Sequence, residues 1–177
     1  KISDEMKDAE LRKMVERIGY TEGLPVVVDP GILDPKEFID TVLNVRIPNP
    51  FMPDTPQRIA TDTSQKLAIR FGETVKNYLA SKDKDIKNLK LIPLVFAGWL
   101  MAVDDNGEKF ELSPDPLLET VCPVVAGIKF GDTDVEEMIR PLLTNRAIFG
   151  VDLYEAGLAG LTVQYFKELI AGAGAVR

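Results

Sequence analysis

The hydrophobic and polar positions of this chain recur with the period of an α-helix along most of its length. Apolar residues three or four positions apart predict helices over the following ranges: 3–18, 34–46, 62–81, 91–103, 115–127, 133–144 and 152–171. No segment of the sequence shows the sustained alternation of apolar and polar residues that is typical of strands. The pattern therefore predicts an all-α fold, a compact domain of about seven or eight helices.

Capping residues set the predicted ends of three of these helices. Asp34-Pro35-Lys36-Glu37 has the order of residues typical of a helix N-terminus, and Asp62-Thr63-Ser64-Gln65 fits a capping box. Ser3 is available as the cap of the first helix and Gly19 as its stop. The helices that follow Asp34 and Asp62 are expected to bury these apolar residues: Phe38, Val42 and Leu43, then Leu67, Phe71, Val75 and Leu79.

Two segments favour turns or extended backbone instead. Residues 24–28 contain a proline and precede the turn Asp29-Pro30-Gly31, which leaves room for a short strand at most. Asp104-Asp105-Asn106-Gly107 closes a turn, and the residues after it allow a short hairpin near 104–112.

Residues 91–103 form the most apolar run of the chain. The run has 13 residues and an internal proline, whereas a membrane-spanning helix needs roughly 20 apolar residues. We therefore interpret it as a buried central helix, with Trp99 in the core.

A proline-rich segment precedes two cations, Arg58 and Lys66, which are the strongest candidates for a binding site. Four prolines between residues 48 and 56 predict a stiff, non-helical stretch, after which Arg58 and Lys66 flank the helix start at Asp62. Two cations beside the backbone N–H groups of a helix N-terminus are suited to binding an anion. Spacing alone leaves an alternative open, in which Arg58 pairs with Asp62 and Lys66 points into water.

Composition narrows the classes of partner. The chain has 177 residues and a net charge of −7, which argues against a nucleic-acid partner and against an anionic membrane surface. It contains no histidine, which excludes histidine-based triads and most zinc sites. Its single cysteine, Cys122, allows no intrachain disulfide, so we expect an intracellular, cytoplasmic protein.

The remaining candidate sites have structural explanations. Gly107 does not occupy the glycine position of a calcium loop, and Gly157-Leu-Ala-Gly160 lacks the strand and third glycine of a dinucleotide fingerprint. The small residues around Gly157 are better explained by close helix packing, and Cys122 by burial in the core. Acidic residues at a predicted helix N-terminus need no metal, and these are Asp132, Asp134, Glu136 and Glu137. We predict no catalytic, cofactor-binding or metal-binding residue in this chain.

Three segments resemble the C-terminal domain of the long-chain mannitol dehydrogenase family, which includes mannitol 2-dehydrogenase and the fructuronate and tagaturonate reductases. Arg46–Pro50 is similar to the family's Arg-Phe-x-Asn-Pro, and Asp62–Lys66 to its Asp-Gly-Ser-x-Lys. Ala97-Gly98-Trp99 matches its apolar helix. The chain departs from the pattern with Ile47 and Thr63.

The resemblance implies a two-domain NAD- or NADP-dependent oxidoreductase that interconverts a polyol or hexonate with its ketose or ketouronate. It implies an N-terminal Rossmann domain and a helical C-terminal domain like that of 6-phosphogluconate dehydrogenase. The family's catalytic Lys-x4-Asn-x2-His constellation normally precedes the segment matched here. We therefore expect residues 1–177 to be the substrate-side domain, inactive alone, with the Rossmann domain and the cofactor site outside the chain.

The resemblance also assigns a role to the two cations. Arg58 and Lys66 match the family's substrate-contacting arginine and lysine. The expected ligand is a small polyol or sugar acid, and the positive charge favours a hexuronate over a neutral polyol. The alternative from another class is a stand-alone helical ligand-binding or interaction module without catalysis.

Overall fold

The computed structural model describes residues 1–101 and 112–172. Within those ranges it contains helices and no strand, so the predicted all-α fold is confirmed. The hairpin expected near 104–112 depends on residues 102–111, which lie outside the described ranges. The chain divides into two compact units, Lys1–Thr61 and Asp62–Arg177.

The first unit is built from short helices. Its α-helices are α1 (Ile2–Glu5), α2 (Ala9–Arg17), α3 (Pro35–Thr41) and α4 (Pro56–Ala60). A π-helical turn, Ile18–Gly23, continues α2, and a second one, Val42–Arg46, continues α3. A 3-10 turn, Leu24–Val26, follows the first of them.

Several boundaries in this unit differ from the prediction. The helix expected over 3–18 is split, because Asp8 caps α2 by accepting a hydrogen bond from the Leu11 N–H (2.8 Å). Ser3 lies inside α1, and the helix passes through Gly19 in its π-helical turn instead of stopping there. The segment 24–28 was expected to form a short strand at most; it forms none, and residues 24–26 make a 3-10 turn.

The predicted N-terminal cap of α3 is confirmed, but its predicted buried face is only partly so. The Asp34 carboxylate accepts a hydrogen bond from the Glu37 N–H (2.8 Å), and Pro35 occupies the first helical position. Leu43 is buried as expected. Phe38 is 50% exposed, so its expected burial is wrong.

The remaining α-helices of the described chain lie in the second unit. They are α5 (Thr63–Lys66), α6 (Gly72–Ala80), α7 (Leu91–Trp99), α8 (Leu118–Val125), α9 (Glu136–Leu143), α10 (Arg146–Phe149) and α11 (Ala159–Ile170). A π-helical turn, Leu67–Phe71, joins α5 to α6, so residues 63–80 are continuously helical, close to the predicted 62–81. Leu79 is exposed and Tyr78 is buried, because each i, i+4 step overshoots a helical turn by about 40°.

The core of the second unit lies around α7, which packs against α11. Phe96 of α7 is fully buried and stacks at a tilt against Phe149, with 4.7 Å between ring centroids. The prediction of a buried central helix is therefore confirmed, although Trp99 is only half-buried at its edge. In the described part of the chain, no helix is long and apolar enough to cross a membrane.

Close helix approach occurs at glycines other than the predicted ones. A Cβ atom on Gly72 would collide with the Phe149 carbonyl oxygen, and one on Gly150 would lie 2.7 Å from the Ala68 carbonyl oxygen. A Cβ on Gly157 or Gly160 would meet nothing within 4 Å, so their expected packing role is wrong. Gly157 instead adopts a positive φ (76°) in the turn before α11, which begins later than predicted.

Candidate functional site

Arg58 lies in the first unit, at the start of α4. The prediction that residues before this helix are non-helical is confirmed for 47–55. Thr55 caps α4 by accepting a hydrogen bond from the Arg58 N–H (3.2 Å). The guanidinium pairs with Asp54, four residues earlier, and its side chain is 62% exposed. The surface-pair alternative expected Arg58 to pair with Asp62, whereas its ion-pair partner in the structure is Asp54.

The Arg46–Pro50 segment has a structural role within the same unit. Asn49 turns the chain by accepting a hydrogen bond from the Phe51 N–H (2.9 Å) with its side-chain oxygen. Arg46 and Ile47 line a mostly apolar cavity of about 220 Å³. An apolar lining offers few partners to a polyhydroxylated molecule. The segment therefore leads the chain into α4 through a turn that Asn49 holds.

Lys66 lies in the second unit, within the first helical turn after Asp62, as predicted. Its backbone N–H donates to the Asp62 carbonyl oxygen (3.2 Å), and its side chain is half-buried. Asp62 adopts a left-handed conformation (φ 55°, ψ 35°) that is unusual for a residue with a Cβ. Its side chain makes no capping hydrogen bond, so the predicted capping box is wrong even though the helix begins at the predicted residue.

Asp115 supplies the missing cap. Its Oδ2 atom accepts a hydrogen bond from the Ser64 N–H (2.7 Å), and its Oδ1 atom accepts from the Ser64 hydroxyl (2.6 Å) and the Leu117 N–H (2.9 Å). The Pro114 carbonyl oxygen accepts from the Asp62 N–H (2.9 Å). A carboxylate of the chain itself therefore accepts from the Ser64 N–H, one of the helix N-terminal N–H groups that we had expected to face an external anion.

Sequence reasoning missed both Asp115 and Ser64. Asp115 stands between two prolines, a pattern that indicates a local turn, and its bond to Leu117 fits that reading. Its other partner, Ser64, lies 51 residues away along the chain. No local sequence signal could have found that partner.

The acidic candidates on α9 pair within their own helix. Glu136 and Glu137 both pair with Arg140 of the same helix, and the hydrogen bond from Arg140 lowers the pKa of Glu137. Cys122 is half-buried, more exposed than a core position would be. Across residues 1–101 and 112–172, no cluster of three or more histidine, cysteine or acidic side chains could hold a metal ion.

Comparisons with known proteins agree with the resemblance. The mannitol dehydrogenase C-terminal domain family matches residues 1–170. A D-mannonate oxidoreductase of Thermotoga maritima is 55% identical over the whole chain, which covers 33% of that protein. An uncharacterized oxidoreductase of Escherichia coli, YdfI, is 31% identical over 98% of the chain and 35% of its own length. The chain thus spans about a third of the length of the curated relatives that it matches. It belongs to the family of mannitol dehydrogenase C-terminal domains.

Proposed function

We propose that residues 1–177 are the C-terminal, substrate-side domain of a longer oxidoreductase that interconverts a polyol or hexonate with its ketose or ketouronate. The observation that carries the proposal is the 55% identity to a D-mannonate oxidoreductase across the entire chain. The family match over residues 1–170 supports the same class of reaction. The single cysteine favours a cytoplasmic location for the protein.

The cofactor of this enzyme would be NAD or NADP, held mainly by an N-terminal Rossmann domain outside this chain. The residues described here do not fit a dinucleotide fingerprint, because no strand precedes Gly157 in the described ranges and Gly160 lies on an exposed helix face. When bound, the nicotinamide would accept or donate the hydride. The contribution of this chain would be to bind and orient the substrate.

Arg58 and Lys66 are our proposed substrate-binding residues. Arg58 stands largely exposed on a capped helix, and its guanidinium pairs with Asp54, whose side chain is 21% exposed. Lys66 is half-buried on a backbone fixed by four hydrogen bonds involving Asp62, Ser64 and residues 114–115. Each cation would donate charge-assisted hydrogen bonds to hydroxyl or carboxylate oxygens of the substrate.

A substrate panel tests the proposed class of substrate. The full-length protein is assayed with D-mannonate, D-fructuronate, D-tagaturonate and D-mannitol, each with NAD(H) and NADP(H). We expect the highest kcat/KM on a sugar acid, because two cations favour a carboxylate over a hydroxyl group. Preference for mannitol would refute the sugar-acid assignment. No turnover of any of the four would favour the alternative of a binding module without catalysis.

A binding titration tests where the cofactor is held. Residues 1–177 alone are titrated with NADH, and NADH fluorescence reports binding. We expect no tight binding and no turnover, because the Rossmann domain and the family's catalytic lysine lie outside these residues. A dissociation constant in the low micromolar range would place the cofactor site in this chain and refute the proposed division of roles.

A further inference from the structure

The start of the helix that carries Lys66 depends on one carboxylate from a distant segment. Asp115 accepts hydrogen bonds from the Ser64 N–H, the Ser64 hydroxyl and the Leu117 N–H. Ser64 is completely buried, so both of its donors need a partner inside the protein. Asp115 is the acceptor for both Ser64 donors, so a substitution that removes its carboxylate would alter the hydrogen bonding at the start of this helix.

A second link ties the same segment to Asp62. The left-handed backbone of Asp62 is strained for an aspartate, and conformations of this kind persist where surrounding contacts impose them. Here the Asp62 N–H is held by the Pro114 carbonyl oxygen, and the Asp62 carbonyl oxygen accepts from the Lys66 N–H. The backbone of Lys66 is therefore connected to residues 114–115 both through Asp62 and through Ser64.

We propose that Asp115 is a positioning residue for substrate binding, which acts by fixing the place from which the Lys66 ammonium group reaches the substrate. This rests on the proposed function, in which Lys66 binds substrate. Both oxygens of Asp115 accept hydrogen bonds within the protein, so in this proposal Asp115 acts through the backbone that carries Lys66.

The test compares two Asp→Asn substitutions in the full-length enzyme. The substrate is the panel member with the highest kcat/KM, which we expect to be D-mannonate. Asn at position 115 keeps the size of Asp but has one acceptor oxygen, so it cannot accept from all three donors. We expect Asp115→Asn to raise KM for the substrate about three- to tenfold, with kcat and the cofactor KM within about twofold of wild type.

Asp152 provides the matched control. Its carboxylate also accepts from two backbone N–H groups of the same unit, those of Tyr154 (2.8 Å) and Glu155 (3.2 Å), but it caps no segment that carries Lys66. Asp152→Asn should leave KM for the substrate unchanged. If both variants lower only the yield of folded enzyme, with equal KM values, Asp115 is merely structural and the proposal is overturned.

A double-mutant cycle with Lys66→Ala tests whether Asp115 acts through Lys66. We expect Lys66→Ala to raise KM at least about tenfold, and Asp115→Asn to change KM less than about twofold in that background. An equal effect of Asp115→Asn with and without Lys66 overturns the positioning role alone. If Lys66→Ala leaves KM unchanged, the proposed role of Lys66 fails and the inference falls with it.

A milder variant covers the case in which Asp115→Asn does not fold. Ser64→Ala removes the hydroxyl bond to Asp115 and keeps the bond from the Ser64 N–H. We expect a rise of about twofold in KM that disappears in the Lys66→Ala background. An unchanged KM, or a rise that persists without Lys66, overturns the proposal.

Discussion

The two units of this chain differ in how much apolar side chain each removes from water. Among residues 1–61, all of which the structure describes, the hydrophobic side chains that are buried are those of Met6 and Leu43. The second unit fully buries large side chains of several helices, including Phe96, Phe149 and Phe166. The first unit also exposes more large apolar side chains, among them Val28 (79%) and Ile32 (91%).

This difference means that the two proposed substrate-binding residues lie in units that bury different amounts of apolar side chain. Burial of apolar surface contributes roughly 25 cal/mol per Å², so the second unit has the larger source of stability. The first unit also contains polar links, such as the bonds from Tyr20 (2.7 Å) and Lys36 (2.8 Å) to Asp40. Lys66 is thus carried by the firmly packed unit and Arg58 by the loosely packed one.

The largest expected effect comes from removing a core ring. Phe96→Ala should lower the free energy of unfolding of residues 1–177 by about 3–5 kcal/mol, because Phe96 is fully buried among aromatic rings. Phe38→Ala makes the same chemical change at a half-exposed position of the first unit. It should cost less than about 1 kcal/mol in the same urea titration. Equal losses would remove the contrast between the units.

An intermediate effect is expected where two backbones meet. Gly72→Ala should destabilise the chain by about 1–3 kcal/mol, because the new methyl group would collide with the Phe149 carbonyl oxygen. Gly160→Ala is the matched helical control, with nothing within 4 Å of its added Cβ. It should be neutral or stabilise by up to about 1 kcal/mol. Thermal unfolding of both variants checks this, and a stable Gly72→Ala protein would contradict the close approach.

The smallest expected effect is a pH dependence in the first unit. The hydrogen bond to Asp40, and then burial, raise the pKa of Tyr20 above its ordinary value of 10.0. The raised pKa favours the folded state below pH 10, and this contribution is lost as pH rises through the folded-state pKa. Asp40→Asn should bring the pKa of Tyr20 back toward its ordinary value. Tyrosinate absorbance, with Tyr20→Phe as the reference, measures it; an unchanged titration would show that the Asp40 bond is not formed.

The periodic pattern of apolar residues predicted correctly those helices whose local sequence pattern agrees with their packing in the folded chain. α7 is apolar on most sides and became the buried central helix, and the Asp34 cap formed as its sequence indicated. The π-helical turn at Ile18–Gly23 was missed because glycine usually indicates a helix end, whereas here the helix widens and continues.

The candidate site was predictable only in part, because its helix start depends on local residues and its cap depends on a distant one. The helix start at Asp62 followed from local residue types, but its actual cap, Asp115, lies 51 residues from Ser64. Contacts of that range are set by the packing of the unit and leave no local pattern.

The central claim is that Lys66 binds substrate, and one comparison tests it most directly. Lys66→Ala and Lys76→Ala are measured in the full-length enzyme on D-mannonate; Lys76 lies in the same unit and pairs with Glu73 (2.6 Å) on an exposed helix face. We predict that Lys66→Ala lowers kcat/KM roughly ten- to a hundredfold, with the cofactor KM near wild type and Lys76→Ala within about twofold. Equal kcat/KM values for the two variants would contradict the claim.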